Sequence, residues 1–393
     1  MRAKRLFLIQ ILGMRIFTIH AGSVTEHITT TLDELRLPTP GFLWLSCTRS
    51  EFEQAQLALQ ATLQRLCGLQ LMNLHVSDLL NQQLPSRYDY TSQYDLLVFR
   101  RLAESPGVAT PTAPVPLVTK RGGPPLLRRI DTRAVGLVVF DQLLLSVHPD
   151  DCSQRDSYAQ RLLAAGGNPA QVPGSQPDGH AAGARDLPGS PADLMLRIVN
   201  HMVDGFLALR RELSHQLDHW QTELINPKTR FTNWRTVLDA RQTLHQLEEI
   251  CDDQHNAIQD WIEALKTWPQ GEGHQGQHER DKLQVRSRDV LEHIDRVVHH
   301  VTQLERNAET AVQIHFNAQS HRTNEIMRTL TVLTAVFLPL NLIAGIFGMN
   351  FDAIPLLHRA YGFWLAMGTM GLIALSLVVF FWRKRYLDRS AAR

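Results

Sequence analysis

Two long uncharged stretches near the C-terminus constrain this chain more than any other feature. The first is Thr329–Phe347 and the second is Phe363–Trp382. Each holds about 20 residues, which as an α-helix span roughly 30 Å, the thickness of the hydrocarbon core of a bilayer. Trp364 and Trp382 stand near the ends of the second stretch, a position that tryptophan favours at membrane interfaces. We therefore predict transmembrane helices at 329–347 and 363–382, rather than buried helices of a soluble core.

Basic residues predict how these helices are oriented. The tail at 383–393 carries Arg383, Lys384, Arg385, Arg389 and Arg393. The extracytoplasmic loop at 348–362 carries only Arg359. The positive-inside rule then places both termini in the cytoplasm and the chain in the inner (plasma) membrane.

The rest of the chain is soluble in character. Its 393 residues include 40 basic and 39 acidic residues, for a net charge of +1, so no large field points to a nucleic-acid partner. The four cysteines (Cys47, Cys67, Cys152 and Cys251) form no CxxC pair, which is typical of reduced cytoplasmic thiols. The eighteen histidines show no tight ligand spacing, so we expect solvated or packed histidines rather than a zinc site.

An α/β domain is predicted at 14–165, after an N-terminal extension at 1–13 that faintly resembles a signal peptide without a clean cleavage site. Strands are predicted where Val, Leu, Ile and Phe are concentrated. They are Arg15–His20, Phe42–Ser46, Tyr94–Arg101, Ala134–Phe140 and Leu143–Val147. Asp141 and Gln142 separate the last two strands and predict a tight hairpin.

Two helices are predicted within this domain. Helical periodicity covers Glu51–Leu66 and places Phe52, Leu57, Leu59, Leu63 and Leu66 near one face. A second helix is predicted to begin near His75, with Ser77 or Asp78 as its N-cap, and we give this histidine and aspartate a structural role.

A helical stalk is predicted at 191–328, after a Gly/Pro-rich insert at 166–190 that could not bury a core. Ser190 and Pro191 suit the N-cap and first position of a helix, and Asn226-Pro227 predicts a break. A heptad seam then follows. It comprises Val290, Ile294, Val297, Val301, Leu304, Ala308 and Ala311. One helix over Lys282–Phe347 would extend about 100 Å, packed on copies of itself or antiparallel on the preceding helices.

A regular stripe continues through the first membrane helix. Its members recur every three or four residues and therefore share one helix face. They are Asn324, Met327, Thr331, Thr334, Leu338, Asn341 and Gly345. Polar groups inside a bilayer face protein or water rather than lipid, so the stripe indicates either a pore lining or close helix packing through small residues. One helix cannot enclose a pore, and a pore therefore requires a ring of subunits.

The tripeptide Gly348-Met349-Asn350 follows this helix directly. Together with NEIMRTLT, FLPLNLIAGIFGMNF and RKRYL, all within Asn324–Leu387, it resembles the CorA family of divalent-cation channels and transporters, which includes the ZntB zinc branch. The resemblance implies an α+β membrane protein with an N-terminal cytoplasmic α/β domain. It also implies a long helical stalk that continues into the first of two C-terminal transmembrane helices, and a homopentamer.

The same resemblance implies where ions would be bound. Gly348, Met349 and Asn350 would form the selectivity filter, with the Asn350 amides holding a hydrated ion at the outer mouth. Met327 and Leu338 would form apolar constrictions, Leu338 standing where many relatives have methionine. Relatives close when cytoplasmic cation binds acidic residues between subunits, and Asp252-Asp253 or Asp150-Asp151 are candidates for such a metal site.

The loop departs from the pattern of many magnesium-transporting relatives. They carry an acidic residue in a motif like MPEL, where this chain has Ile354-Pro355-Leu356-Leu357. The expected cargo is thus a divalent cation, Mg²⁺ or alternatively Zn²⁺, Co²⁺ or Ni²⁺, and no resident cofactor is expected. Proton-coupled zinc transport and a non-conducting membrane-anchored scaffold are the alternatives. No nucleotide-binding motif, nucleophile elbow or HExxH occurs, so we predict neither a pump driven by ATP nor an enzyme.

Overall fold

The computed structural model describes residues 13–20, 22–27, 32–103, 130–166, 187–225, 234–268, 274–349 and 361–383. It divides the chain into two compact units. The first unit comprises Met1–Glu223 and Thr229–Ala308, and the second comprises Leu224–Lys228 and Glu309–Arg393. Most of the insert predicted at 166–190 and of the loop predicted at 348–362, namely residues 167–186 and 350–360, lies outside the described residues.

The described part of the first unit contains one seven-stranded sheet. Its strands are β1 (Arg15–His20), β2 (Ser23–His27), β3 (Phe42–Thr48), β4 (Arg87–Tyr90), β5 (Asp95–Leu102), β6 (Thr132–Val139) and β7 (Leu143–His148). They lie in the order β2-β1-β3-β7-β6-β5-β4. The central pair β3 and β7 is parallel, and the other neighbours are antiparallel.

The five predicted strands are confirmed to within two residues at each end. The predicted hairpin is confirmed as well, because the Phe140 amide donates a 2.8 Å hydrogen bond to the Leu143 carbonyl. The sequence analysis missed β2 and β4, since SVTEH and RYDY are short, polar edge strands without an apolar run.

Eight α-helices are described. They are α1 (Arg49–Gln54), α2 (Gln56–Cys67), α3 (Asn73–Leu80), α4 (Ser153–Gly166), α5 (Pro191–Ile225), α6 (Trp234–Thr267), α7 (His274–Phe347) and α8 (Gly362–Arg383). The predicted cap of α5 is confirmed, because the Asp193 amide donates to the Ser190 hydroxyl at 3.3 Å. The predicted break at Asn226-Pro227 falls between α5 and α6, outside the described residues, and stays a prediction.

The prediction of one helix over Glu51–Leu66 is wrong. A capping box between Thr48 and Glu51 starts α1 two residues earlier, and the backbone leaves helical geometry at Ala55, with φ −96° and ψ 9°. The placement of Leu57 near the apolar face is wrong as well. It lies about 140° around the helix from Phe52 and is 86% exposed, whereas Leu59 and Leu63 are buried on the same side as Phe52.

The predicted N-cap of α3 is also wrong. The helix begins at Asn73, and Ser77 and Asp78 lie inside it. Its first turn is held instead by Tyr94, whose hydroxyl accepts from the Met72 amide at 3.1 Å. The same hydroxyl lies 2.8 Å from His75 Nδ1. A side chain 22 residues away thus replaces the local cap, and His75 is confirmed as a buried structural residue.

Helices cover both faces of the sheet, which explains why the central strands β3 and β7 are buried at nearly every position. On one face, α1 packs on β3 and β7, and α3 packs on β5 and β6. On the other face, Trp44 of β3 contacts Tyr158 of α4 with ring centroids 6.2 Å apart. Tyr88 of β4 contacts Trp261 of α6 at 5.8 Å.

A buried polar network lies on this second face of the sheet, between strands β3 and β7 and the helices that cover them. Trp44 Nε1 donates to the Ser146 hydroxyl at 2.8 Å, and His148 Nε2 lies 3.0 Å from the same oxygen. Burial, reinforced by the nearby Arg155 and Arg101 guanidinium groups, lowers the pKa of His148 to about 3. The imidazole is therefore neutral in the folded chain at physiological pH.

We expect His148 to make the fold sensitive to mild acid. The unfolded chain binds a proton near the ordinary histidine pKa of 6.5, whereas the folded chain does not, so stability present above that pH is lost as the pH falls toward 3. The loss is about 1.4 kcal/mol per pH unit, or roughly 2 kcal/mol between pH 6.5 and pH 5. The free energy of unfolding can be measured by denaturant titration at pH 7 and at pH 5. The difference between the two pH values should be smaller in His148→Gln than in the wild type, by about 2 kcal/mol. An unchanged difference would show that other groups cause the acid sensitivity.

The heptad seam of α7 is buried within the chain itself. The six described side chains of the seam, from Val290 to Ala308, are all buried in the isolated chain. Hydrogen bonds from both preceding helices cross to α7. Trp261 Nε1 donates to the Ser287 hydroxyl at 2.9 Å, and the Ser214 hydroxyl lies 2.6 Å from His300 Nε2. Along α6 the contacts with α7 run in opposite directions, from Trp261–Ser287 to Glu248–Thr302, so the intramolecular antiparallel alternative is confirmed for α6. Along α5 they run in the same direction, from Asn200–His293 to Ser214–His300, so α5 lies parallel to α7.

Helix α7 has 74 residues and begins eight residues before the predicted Lys282. Its C-terminal part, from Glu309, lies in the second unit together with α8. Both helices are long and apolar enough to cross a membrane, and their apolar windows are almost entirely unburied in the isolated chain. The predicted transmembrane segments therefore fit the structure.

Candidate ion pathway

The predicted pore-lining stripe lies along one exposed face of α7. All seven of its residues are exposed, with Leu338 at 69%. Because each residue advances about 100° around an α-helix, the seven stripe residues lie within an arc of about 100°. The structure therefore brings together every member of the predicted stripe and covers none of them with the chain's own side chains.

The opposite side of α7 is less exposed. Val332 is buried, and partly buried positions recur beside it at helical spacing: Val336, Pro339, Ile343 and Phe347. Helix α8 is the other described helix of this unit, and its own less exposed positions recur in the same way: Gly362, Ala366, Met370, Ile373 and Leu377. These patterns indicate that the two helices pack through these sides, which leaves the stripe facing away.

The hydroxyl groups of the stripe are held by the helix that carries them. Thr331 donates to the Met327 carbonyl at 2.7 Å, and Thr334 donates to the Leu330 carbonyl at 2.8 Å. Each hydroxyl proton is thus used within the helix, whereas the oxygen lone pairs remain as acceptors. Acceptor oxygens are what a hydrated cation requires, because its water ligands present only hydrogens outward.

Gly348 and Met349 follow the end of α7. The Gly348 amide donates to the Ala344 carbonyl at 2.9 Å, and the Met349 amide donates to the Ile346 carbonyl at 3.3 Å. Met349 is exposed. The C-terminal end of a helix carries partial negative charge, so this end of α7 favours cations. Asn350 lies outside the described residues, and its place in the filter stays a prediction.

Asp252 and Asp253 lie on α6. Burial, followed by the neighbouring Asp252 and Glu249 carboxylates, raises the pKa of Asp253, and the Arg100 guanidinium opposes this. No histidine, cysteine or carboxylate within the described residues completes a metal cluster with this pair. The role of Asp252 and Asp253 as a metal site stays a prediction.

The other acidic pair is engaged in structural contacts. Asp151 Oδ1 lies 2.7 Å from Arg101 Nη2, and the Arg101 side chain is almost fully buried. The Ser50 hydroxyl donates to Asp150. Removing Asp151 would leave a buried guanidinium without its carboxylate, which is costly, so this residue stabilises the fold.

Comparison with known protein families gives a match over most of the chain. A family described as CorA-like Mg²⁺ transporter protein matches residues 41–385. The cobalt/magnesium transport protein CorA of Thermotoga maritima is 26% identical over 200 residues, 49% of this chain and 52% of that protein. The chain thus spans about half the length of this relative.

Two solved structures share the fold over nearly the full length. The complete structure of the CorA magnesium transporter from Methanocaldococcus jannaschii gives a TM-score of 0.62 at 16% identity, covering 94% of this chain and 98% of the other. The structure of the full-length CmaX protein gives 0.64 at 17% identity, covering 95% and 98%. At these identities, the likeness establishes the fold.

Proposed function

Because this chain belongs to the family of CorA-like Mg²⁺ transporters, we propose that it passes divalent cations across the inner membrane through an oligomeric pore. The observation that supports this most directly is the exposed stripe from Asn324 to Gly345, which lies within a membrane-spanning helix without being covered by its own chain. Membership places the protein among transporters rather than enzymes.

In the proposed pore, each stripe residue forms a ring with its copies from other subunits. Mg²⁺ gives up its water reluctantly, so amide and hydroxyl oxygens that accept hydrogen bonds from that water suit it better than direct ligands. The Asn350 ring receives the ion at the outer mouth, and Asn341, Thr334 and Thr331 form deeper polar layers. Leu338 and Met327 form apolar constrictions that can stop conduction by excluding water.

Both termini are proposed to face the cytoplasm, as the basic tail indicates. A membrane potential of 100 mV, negative inside, then favours uptake by about 2.3 kcal/mol per charge, or roughly twice that for a divalent ion. No other energy source is required for inward movement.

We expect the purified protein to be a homo-oligomer, and the resemblance to CorA implies a pentamer. Because the seam of α7 from Val290 to Ala308 is covered within the chain, the contacts between copies must involve other surfaces, including the exposed helix face from Glu309 to Phe347. Light scattering in mild detergent should give a protein mass near five times 44.6 kDa. A 44.6 kDa species that still supports ion flux would contradict the ring.

Ion flux into liposomes tests the function itself. Protein reconstituted at known density should take up Mg²⁺ and Co²⁺ faster than empty liposomes do, and an inside-negative potential should accelerate uptake. Uptake of Ni²⁺ and Zn²⁺ is measured in the same way. Absence of flux for all four ions would favour the membrane-anchored scaffold, which needs neither the stripe nor Gly348-Met349-Asn350.

Zinc transport coupled to protons is the second candidate, favoured by one observation. The loop contains Ile354-Pro355-Leu356-Leu357 and Arg359, where many magnesium-transporting relatives have an acidic residue. The departure removes a feature of those magnesium-transporting relatives and leaves Zn²⁺ open as the cargo. Zn²⁺ uptake that exceeds Mg²⁺ uptake and increases with an inward proton gradient would select this candidate.

A further inference from the structure

Three potential metal ligands meet where α6 and α7 pack in the first unit. His245 and Glu248 lie on α6, and Glu305 lies on α7. One imidazole nitrogen and one oxygen from each carboxylate all lie within 4.8 Å of one another. We refer to His245, Glu248 and Glu305 as the α6–α7 cluster.

The apolar packing of the two helices creates this cluster. Leu244 and Leu247 of α6 are buried, as are Val301 and Leu304 of α7. His245 and Glu248 each follow one of the buried α6 leucines, so a spacing of three residues places them on the same edge of the helix. Glu305 directly follows Leu304 and reaches the same edge from the facing helix.

Contacts around the cluster orient its carboxylates. The Thr302 hydroxyl donates to Glu248 Oε1 at 2.8 Å, while Glu248 Oε2 lies 3.7 Å from His245 Nδ1. Glu248 and Glu305 side chains are only 25% and 23% exposed. A hydroxyl that fixes one oxygen and leaves the other toward a histidine is the arrangement that supports ligands in metal sites.

The local charge matches a dication. Glu249 Oε1 lies 3.6 Å from His245 Nε2 and adds a third carboxylate to the edge. Arg241 Nε lies 3.4 Å from Glu305 Oε1 and is the nearby guanidinium. With a neutral imidazole, three carboxylates and one guanidinium leave a net charge of −2. Like charges held close together raise the free energy unless a cation lies between them.

We propose that the α6–α7 cluster binds one transition-metal dication of the Zn²⁺ class per chain. Imidazole nitrogen suits Zn²⁺, Co²⁺ and Ni²⁺, whereas Mg²⁺ prefers an all-oxygen shell. Three protein ligands plus a water complete a four-coordinate site. Ligand bonds of about 2.0–2.2 Å require the side chains to draw closer than 4.8 Å, which the 61% exposed His245 can do by rotation.

Equilibrium dialysis of the full-length protein in detergent tests the site, with ZnCl₂ and MgCl₂ as probes. The wild type is expected to hold one more tight Zn²⁺ per chain than His245→Ala or Glu305→Gln, each of which should weaken that site at least about tenfold. Arg241→Gln removes the competing guanidinium and should tighten Zn²⁺ binding. Excess MgCl₂ should not displace the ion.

His255→Ala is the matched control, because His255 also bridges α6 and α7, through a contact of 2.7 Å with Asp295, and is not a member of the α6–α7 cluster. It should bind Zn²⁺ like the wild type. Equal Zn²⁺ binding by the wild type, His245→Ala and Glu305→Gln would overturn the proposal, and so would an equal loss in His255→Ala. If His245→Ala does not fold, the nearly isosteric Glu305→Gln decides. Binding is measured without flux, so the result is independent of the transport proposal.

Discussion

Replacing Asn350 by alanine is expected to abolish uptake of divalent cations while the oligomer still assembles. Asn350 directly follows the pore-lining helix, where an ion first exchanges bulk water for water held by protein. Alanine has no acceptor, so every subunit loses a hydrogen bond to the hydrated ion. A loss of about 1 kcal/mol per bond, repeated around a ring, removes selective capture.

The measurement is the initial rate of ion uptake into liposomes, with the assembled mass checked by light scattering. Asn341→Ala is the matched comparison, since it removes an amide from a deeper layer of the stripe. It should reduce uptake less, because an amide within a membrane helix can also serve helix packing. Uptake by Asn350→Ala at the wild-type rate would show that the Asn350 ring is not the filter.

Replacing Trp261 by alanine is expected to cause the largest loss of stability in the first unit. Its side chain is fully buried, with ring centroids 5.8 Å from Tyr88 and 5.4 Å from Trp268. Its indole donates to Ser287 at 2.9 Å. One side chain thus joins α6 to the sheet and to α7. Truncation leaves a cavity and should cost about 3–5 kcal/mol.

Thermal unfolding of the full-length protein in detergent measures this loss. For a unit of this size, such a cost corresponds to a decrease in the unfolding midpoint of roughly 10 °C. Trp261→Phe retains an aromatic ring and removes the indole hydrogen bond, so its decrease should be clearly smaller. A midpoint that is unchanged in Trp261→Ala would show that the α6 contact with the sheet does not limit stability.

Local patterns in the sequence predicted most strands and helices, because the formation of a strand or helix depends largely on residues within four positions along the chain. Alternating and continuous apolar runs identified five of the seven strands, and the absence of charge identified both membrane helices. The stripe from Asn324 to Gly345 emerged on one exposed face because helix geometry alone fixes that face. Asn350, outside the described residues, remains the part of the site that only the sequence supports.

Tertiary structure decided what each helix packs against, since periodicity defines a face without naming its partner. The heptad seam of α7 could have met another copy of the chain, yet α5 and α6 cover it. The Tyr94 hydroxyl replaces a local side-chain cap at the start of α3. Burial of His148 lowers the pKa of its imidazole and keeps it neutral at physiological pH. His245 and Glu305 are 60 positions apart in sequence. No spacing rule joins them, and they meet only because buried leucines on α6 and α7 pack the two helices together.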